Sequence, residues 1–203
     1  MSHIPFDGIV EHYDEDRFHY EVAHRLVEGT PHTPGMDVLD IATGTGHAAF
    51  AAVSTVDPRR VLAIDFSPAM IEAARRKAGT LDPAGIIEWR VGDAARTPVE
   101  DASADLLLCA SSLHFLGRRA LDDWGRVLRP GGFLAFSLPT AETFRASATF
   151  AALMPGGIEL PSDAEQAIEP LAAAGFREPT ASRFELVTDR PRAAYLVHAR
   201  VPG

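Results

Sequence analysis

The sequence predicts an α/β protein, a doubly wound sheet of seven strands, mostly parallel, with helices on both faces. Three observations carry this. Five short apolar runs alternate with helical or loop segments from Val38 to Leu138, the pattern of a parallel sheet whose crossovers cover both faces. A glycine turn joins the first run to the helix after it, in Val38-Leu39-Asp40-Ile41-Ala42-Thr43-Gly44-Thr45-Gly46-His47-Ala48. Two closing runs near the C-terminus have no room for a helix between them, so they read as a hairpin that brings in an antiparallel strand. At 203 residues the chain is expected to form one domain, and 46% hydrophobic with 23% charged residues suits a soluble globular protein.

The elements follow in order. Phe18, Val22 and Leu26 recur on one face of a helical segment that begins near Phe6 and continues to Val27. Gly29-Thr30-Pro31-His32-Thr33-Pro34-Gly35 is a breaker-rich loop. The first strand ends at Asp40 to Ala42, and His47 opens a helix. Val61 to Asp65 is the second strand; Ser67 caps the next helix and Pro68 suits its first position. Ile86 to Val91 and Ala104 to Ala110 are the third and fourth strands. Arg118 to Arg129 reads as a helix with Leu121, Trp124 and Leu128 on one face. Arg129-Pro130-Gly131-Gly132 suits a type II turn before the fifth strand, Phe133 to Leu138. Ala141 to Met154 is a further candidate helix, ended by Pro155-Gly156-Gly157. Ser162-Asp163-Ala164-Glu165 has the capping-box spacing, and the helix it opens ends at Gly175, with a kink or late restart at Pro170. Phe184 to Thr188 and Ala194 to Arg200 are the closing strands, with Asp189 to Arg192 as their loop.

Charge and cysteine usage exclude several classes. The net charge of −9 disfavours a nucleic-acid substrate, because such binders need a basic face. Arg59-Arg60, Arg75-Arg76-Lys77 and Arg118-Arg119 read as solvated helix ends. No apolar run approaches the roughly 20 residues of a membrane span. The first residues lack a basic region followed by an apolar one, so no signal peptide is expected. Cys109 is the only cysteine, which fits a reducing cytoplasm. No His, Cys and Asp group has metal-ligand spacing, so no metal is expected.

The glycine turn brings backbone N–H groups to a strand-to-helix corner where a ligand can approach them closely. Asp65, about 20 residues later at the tip of the second strand, is placed to accept two ribose hydroxyls, or else to cap the next helix. The stretch Asp40-x-Ala42-x-Gly44-x-Gly46 resembles motif I of the class I S-adenosylmethionine-dependent methyltransferases, with Ala42 standing where that pattern has its first Gly. The resemblance extends to Gly92-Asp93-Ala94, to the run from Asp105 to Leu116, and to the Leu-Arg-Pro-Gly-Gly-Phe-Leu block at Leu128. Together these cover residues 6–138 and resemble the small-molecule branch akin to ubiquinone and menaquinone pathway enzymes.

The resemblance implies a Rossmann-like fold, S-adenosylmethionine as cofactor, and a small-molecule acceptor, with secondary metabolism as one setting. It divides the single domain into an N-terminal lid at 1–28, a cofactor-binding core at 36–138 and a substrate-side segment with closing strands at 139–203. The implied cofactor contacts are Tyr13 from the lid, Asp40, Ala42, Thr43, Gly44 and Gly46 at the turn, and Asp65, Phe66 and Met70 after the second strand. Gly92, Asp93 and Ala94 follow, with Asp93 as reader of the adenine amino group, then Ala110 and Ser111. For Tyr13 a packing role, and for Asp93 a plain turn role, stay open.

His114 falls on the first histidine of the family's Leu-His-His-Leu run and is the best-placed general base, against a purely structural role. His12, His19 and His24 in the lid are weaker candidates for the same task. The sequence lacks the Asn/Asp-Pro-Pro-aromatic pattern of many adenine and glutamine methyltransferases, and one cysteine cannot build the multi-thiol site of arsenic methyltransferases. The short segment from Ala141 to Ser162 leaves two readings: a compact site under the lid, or one completed by a second subunit in a homodimer. Two other functions remain: a catalytically silent cofactor-binding partner subunit, and a non-methylating enzyme on the same fold.

Overall fold

The apolar run at Val38 becomes β1 (Asp37–Ile41), buried at every residue. The computed structural model describes residues 10–145, 151–152, 154 and 158–203, apart from the side chains of residues 11 and 12. Before β1 lie α1 (Val10–Tyr13) and α2 (Arg17–Glu28); after it come α3 (His47–Thr55), β2 (Arg60–Asp65), α4 (Pro68–Leu81) and β3 (Ile87–Val91). The second half holds β4 (Ala104–Cys109), α5 (Leu113–Leu116), α6 (Arg119–Val127), β5 (Leu128–Pro139), α7 (Ala164–Ala173), β6 (Arg177–Val187) and β7 (Pro191–Arg200). The sheet order is β3-β2-β1-β4-β5-β7-β6. Strands β3 to β5 are parallel, and β7 runs antiparallel to β5 and β6. The chain leaves β1 in one direction and returns to β4 on its other side. That reversal opens a crevice at the carboxyl ends of β1 and β4.

Both sheet faces are covered, which is why the strands read as continuous apolar runs. Val38, Leu106, Leu108 and Ala135 pack with Phe18, Val22 and Leu26 of α2 and with α3. Leu39, Ile41, Leu107 and Phe136 face Leu121 and Trp124 of α6 and Ala167 and Leu171 of α7. The alternation along β1 and β4 follows from side chains pointing to opposite faces of a strand.

Several expectations change in detail. The N-terminal helical segment breaks at Asp14 to Asp16, because the Asp16 carboxylate accepts from Phe18 N and caps α2. Leu128 starts β5, opposite Ala104, instead of ending the helix. Asp163 caps α7 in place of Ser162; it accepts from Gln166 N while Gln166 Oε1 accepts from Ser162 N. The helix runs unbroken through the buried Pro170, so there is no restart. Strand β6 begins at Arg177, earlier than expected, and Pro191 and Arg192 already belong to β7. Residues 141–145 form a turn instead of a helix; most of the remaining stretch to Met154, and Pro155-Gly156-Gly157, lie outside the described residues.

Of the basic clusters, Arg118 and Arg119 do sit exposed at the start of α6, Arg118 paired with Glu169, but the other two are not solvated helix ends. Arg59, Arg60 and Arg129 converge on the buried Asp37, holding its carboxyl below the usual range. Arg75, Arg76 and Lys77 lie inside α4, which continues to Leu81. Among the described residues no helix is long and apolar enough to cross a membrane.

Candidate cofactor and acceptor site

The glycine turn is built on left-handed backbone. Ala42, Gly44 and Gly46 have φ of 52°, 55° and 92°. Ala42 therefore holds a conformation for which the family pattern supplies glycine, at a cost of about 1–2 kcal/mol. Gly46 has no alternative: a Cβ there would lie 2.6 Å from the Trp89 ring. At Gly44 a Cβ would come 3.5 Å from the Tyr13 ring, which lies across the turn. Under the turn, Thr43 donates its hydroxyl to Asp40 Oδ2. Asp40 is fully buried, Oδ1 has no partner, and burial pushes its carboxyl up to about 7 against the Thr43 and Ala49 hydrogen bonds.

Asp65 closes the turn from β2. Its Oδ2 accepts from Gly44 N at 2.8 Å and its Oδ1 from Ser67 N at 2.9 Å. The helix-entry role is thus present. Tyr13, Ala42, Gly44, Asp65, Phe66 and Met70 line one small cavity of about 60 Å³, with Ser112, Phe115 and Leu116 closing it. A neighbouring cavity of about 330 Å³ shares Phe66 and Leu116 and is walled by Val91, Gly92, Asp93, Ala94 and Ala95. Asp93 Oδ1 accepts from Ala95 N, an Asp-stabilised turn, while Asp93 itself stays exposed. An apolar slot beside a carboxylate suits a flat heteroaromatic ring with an amino group. A larger groove of about 650 Å³ lies around Asp37, Arg59 and Arg60. It is at the amino ends of the strands, away from the switch point, and its arginines already bind Asp37.

The N-terminal segment is latched over the turn. Asp14 pairs with Lys77 at 2.8 Å, accepts from Thr45 and lies 3.3 Å from His47 Nε2. Tyr13 is sandwiched between His19 and His47, at ring separations of 5.4 and 6.1 Å. Burial, then the charges of Asp65, Asp16 and Asp14, push its phenol far up, so it stays neutral. Asp16 takes two 2.7 Å bonds from Arg192 of β7. The role of Lys77, Arg192 and His47 was not read from the sequence. His47, directly after the glycine motif, had a positional signal; Arg192 had none, since only the sheet order brings β7 beside α2.

His114 is buried with neither ring nitrogen partnered, beside Phe115 at 4.1 Å and edge-on to Phe144 at 5.2 Å. Burial chiefly holds it down to about 4, so at neutral pH it is an uncharged imidazole. Ala110 and Ser111 directly follow β4 but line neither cavity; Ser111 has φ of 61° and its N donates to Ser137 Oγ. The side chain of His12 lies outside the described residues. His24 packs against Tyr20 with its ring tilted by 37°, and burial shifts it down. Among the described residues no cluster of His, Cys, Asp or Glu holds metal-ligating geometry.

The fold and the site define an α/β protein with two adjoining cavities at the carboxyl ends of its parallel strands. Residues 38–132 match the methyltransferase domain family. The chain is 38% identical over 107 residues to an arsenite methyltransferase of Halobacterium salinarum, covering 51% of this chain and 27% of that protein. It is 36% identical over 124 residues to a demethylmenaquinone methyltransferase of Deinococcus radiodurans, covering 59% and 50%. A malonyl-[acyl-carrier protein] O-methyltransferase of Methylococcus capsulatus is 36% identical over 121 residues, covering 58% and 43%. The chain spans about half or less of the length of these three relatives. Among solved structures, a Haloferax volcanii protein described as a methyltransferase, in complex with the Trm112 methyltransferase activator, superposes with TM-score 0.76 at 19% identity over 98% of both chains. An Aquifex aeolicus SAM-dependent methyltransferase gives 0.70 at 22% identity over 96% and 98%. These last two likenesses establish the fold. Residues 38–132 are thus a methyltransferase domain, and these likenesses support a class I S-adenosylmethionine-dependent methyltransferase with S-adenosylmethionine as its cofactor.

The residues present fit that cofactor. Gly44 leaves room for close approach, Asp65 lines the cavity beside it, and the slot at Phe66, Asp93 and Ala94 suits adenine.

Proposed function

We propose that the chain moves a methyl group from S-adenosylmethionine to an O, N or C nucleophile of a small molecule. The observation that carries this is the linked pair of cavities running from the Gly44 turn past Asp65 and Phe66 to Asp93 and Ala94. When bound, the cofactor supplies a methyl group already activated by its sulfonium. The chain's task is then to hold the acceptor in line and keep water out, and such positioning contributes about 7–11 kcal/mol. Asp65 would hold the ribose and Asp93 the adenine amino group. Tyr13 and α1, latched by Asp14, form the lid. His114 offers a neutral imidazole lone pair to a protonated nucleophile, the role of a weak general base.

A second reading is favoured by one neighbour, the Haloferax volcanii protein solved with an activator: this chain acts only with, or on behalf of, a partner protein. A homodimer that completes the acceptor site, and a cytoplasmic setting in which buried Cys109 stays reduced, belong to the proposal. Purified chain with methyl-labelled cofactor and a panel of phenols, amines and acids tests it. Label transfer without any partner supports the enzyme. Cofactor binding with no transfer to any member supports the partner reading.

A further inference from the structure

Among the described residues of the N-terminal segment, His19 is a histidine held at both its face and its edge. Its ring stacks on Tyr13 with a 12° interplanar angle and meets Phe18 edge-on. Arg192 approaches its Nε2 at 3.3 Å. A guanidinium only donates, so Nε2 must be the accepting nitrogen. Asp16 Oδ2 is 3.5 Å from the same nitrogen, too far for a good hydrogen bond, and both Asp16 oxygens already take Arg192 N–H groups. Burial, opposed by Asp16 and aided by Arg192, holds the imidazole down to about 4, so it is neutral at pH 7. A neutral ring with an accepting Nε2 carries its proton on Nδ1. Nδ1 is buried and has no hydrogen-bond partner. It is a fixed donor with no protein acceptor, which a ligand oxygen satisfies.

The surroundings define the rest of the ligand. His114, packed on Phe115, which lines the same small cavity as Tyr13, adds two more unpartnered buried nitrogens. The rings of Tyr13, Phe115 and Phe144 give flat apolar walls. The charged groups around Tyr13, these histidines and the adjoining slot are Asp14, Asp16, Asp65 and Asp93 against Lys77, Arg192 and Arg119. The single excess negative charge is matched by a cationic cofactor, which leaves none to balance a charged acceptor.

We propose that His19 is a specificity-determining residue of the acceptor site, its Nδ1–H holding an oxygen of a neutral hydroxyl- or carbonyl-bearing acceptor and so disfavouring amines. This rests on the methyltransferase reading above and names the acceptor chemistry of that same site.

The test uses the full chain saturated with S-adenosylhomocysteine at pH 7.5 and two neutral isosteres, catechol and ortho-phenylenediamine. An arylamine nitrogen is a poor acceptor, so calorimetry should show catechol bound at least about tenfold more tightly. His19→Phe keeps a ring against Tyr13 but has no N–H, and should reduce the preference to about twofold or less. His19→Asn, whose amide N–H overlays Nδ1, should restore part of it; circular dichroism checks that both variants are folded. Nitrogen-15 spectra of the histidines should place the His19 proton on Nδ1. A proton on Nε2, equal affinity for the two probes, binding of neither, or a preference that survives His19→Phe overturns the proposal. Failure to bind S-adenosylhomocysteine sinks the methyltransferase reading instead.

Discussion

Replacing Asp65 by Ala separates two roles of one carboxylate. In the structure Asp65 accepts from Gly44 N and Ser67 N, both buried bonds. Truncation strands both donors, and each buried donor left unsatisfied costs about 1–3 kcal/mol. The cofactor-free protein should therefore lose about 2–6 kcal/mol, the smaller figure if water reaches the opened turn. Asp65→Asn keeps one accepting oxygen and sets an NH2 against the other donor, so it should fall between Ala and wild type. Binding adds a separate loss. Hydrogen bonds from ribose hydroxyls to a charged acceptor are worth about 1.5–3 kcal/mol, so affinity for S-adenosylhomocysteine should fall roughly tenfold or more. Urea unfolding of the free protein reads the first effect, and calorimetry below the unfolding transition reads the second. An unchanged urea midpoint in Asp65→Ala would refute the clamp. A destabilised variant with unchanged cofactor affinity would refute the ribose role alone.

Three further predictions follow from the same geometry. Ala42→Gly relieves the 52° φ, worth about 1–2 kcal/mol, against a backbone-entropy cost of up to about 1 kcal/mol, so its melting temperature should equal or exceed wild type; a clear drop refutes the strain argument. His19, His47 and His114 titrate near 4 when folded and near 6.5 when unfolded, so the unfolded state binds more protons between those values and stability falls as pH falls from 6.5 to 4. Asp40, raised to about 7, works in the opposite sense over the same range and offsets one of the three, leaving a net slope of about 1.4 kcal/mol per pH unit for each excess proton; a flat melting profile contradicts this. Deleting residues 1–15 keeps the Asp16 cap and its Arg192 pair, so circular dichroism should show the sheet intact while cofactor affinity drops at least about tenfold; unchanged affinity would mean α1 is not a lid.

What the sequence made legible, and what it hid, has physical causes. The parallel core was legible because strands buried on both faces must be apolar throughout, and because Ser67-Pro68 and the glycine turn carry local backbone requirements that no partner can alter. The first half of β6 was hidden because it is a mostly exposed edge strand, with Glu178 at φ 52° and a register shift before Thr180 that erase any alternation. The Asp16 cap was available as a signal, since the apolar period of Phe18, Val22 and Leu26 begins only two residues after it. Arg59 and Arg60 were misread because their partner, Asp37, lies on another strand and counts as buried only once the sheet exists. Within the site, Ala42 and Gly44 of the turn and Asp65, Phe66 and Met70 after β2 line one cavity, whereas Asp40, Thr43 and Gly46 line neither. The latch from Asp14 to Lys77 and the Arg192 contact to His19 depend on α1, α4 and β7 meeting in space, which spacing along the chain does not encode.

The central claim is that the trough from Gly44 to Asp93 holds S-adenosylmethionine. Calorimetric titration of the folded chain with S-adenosylhomocysteine tests it most directly. The account predicts one site per chain, displaced by S-adenosylmethionine and weakened by Asp65→Ala. No heat and no thermal shift at millimolar ligand, with the protein shown to be folded, would contradict it.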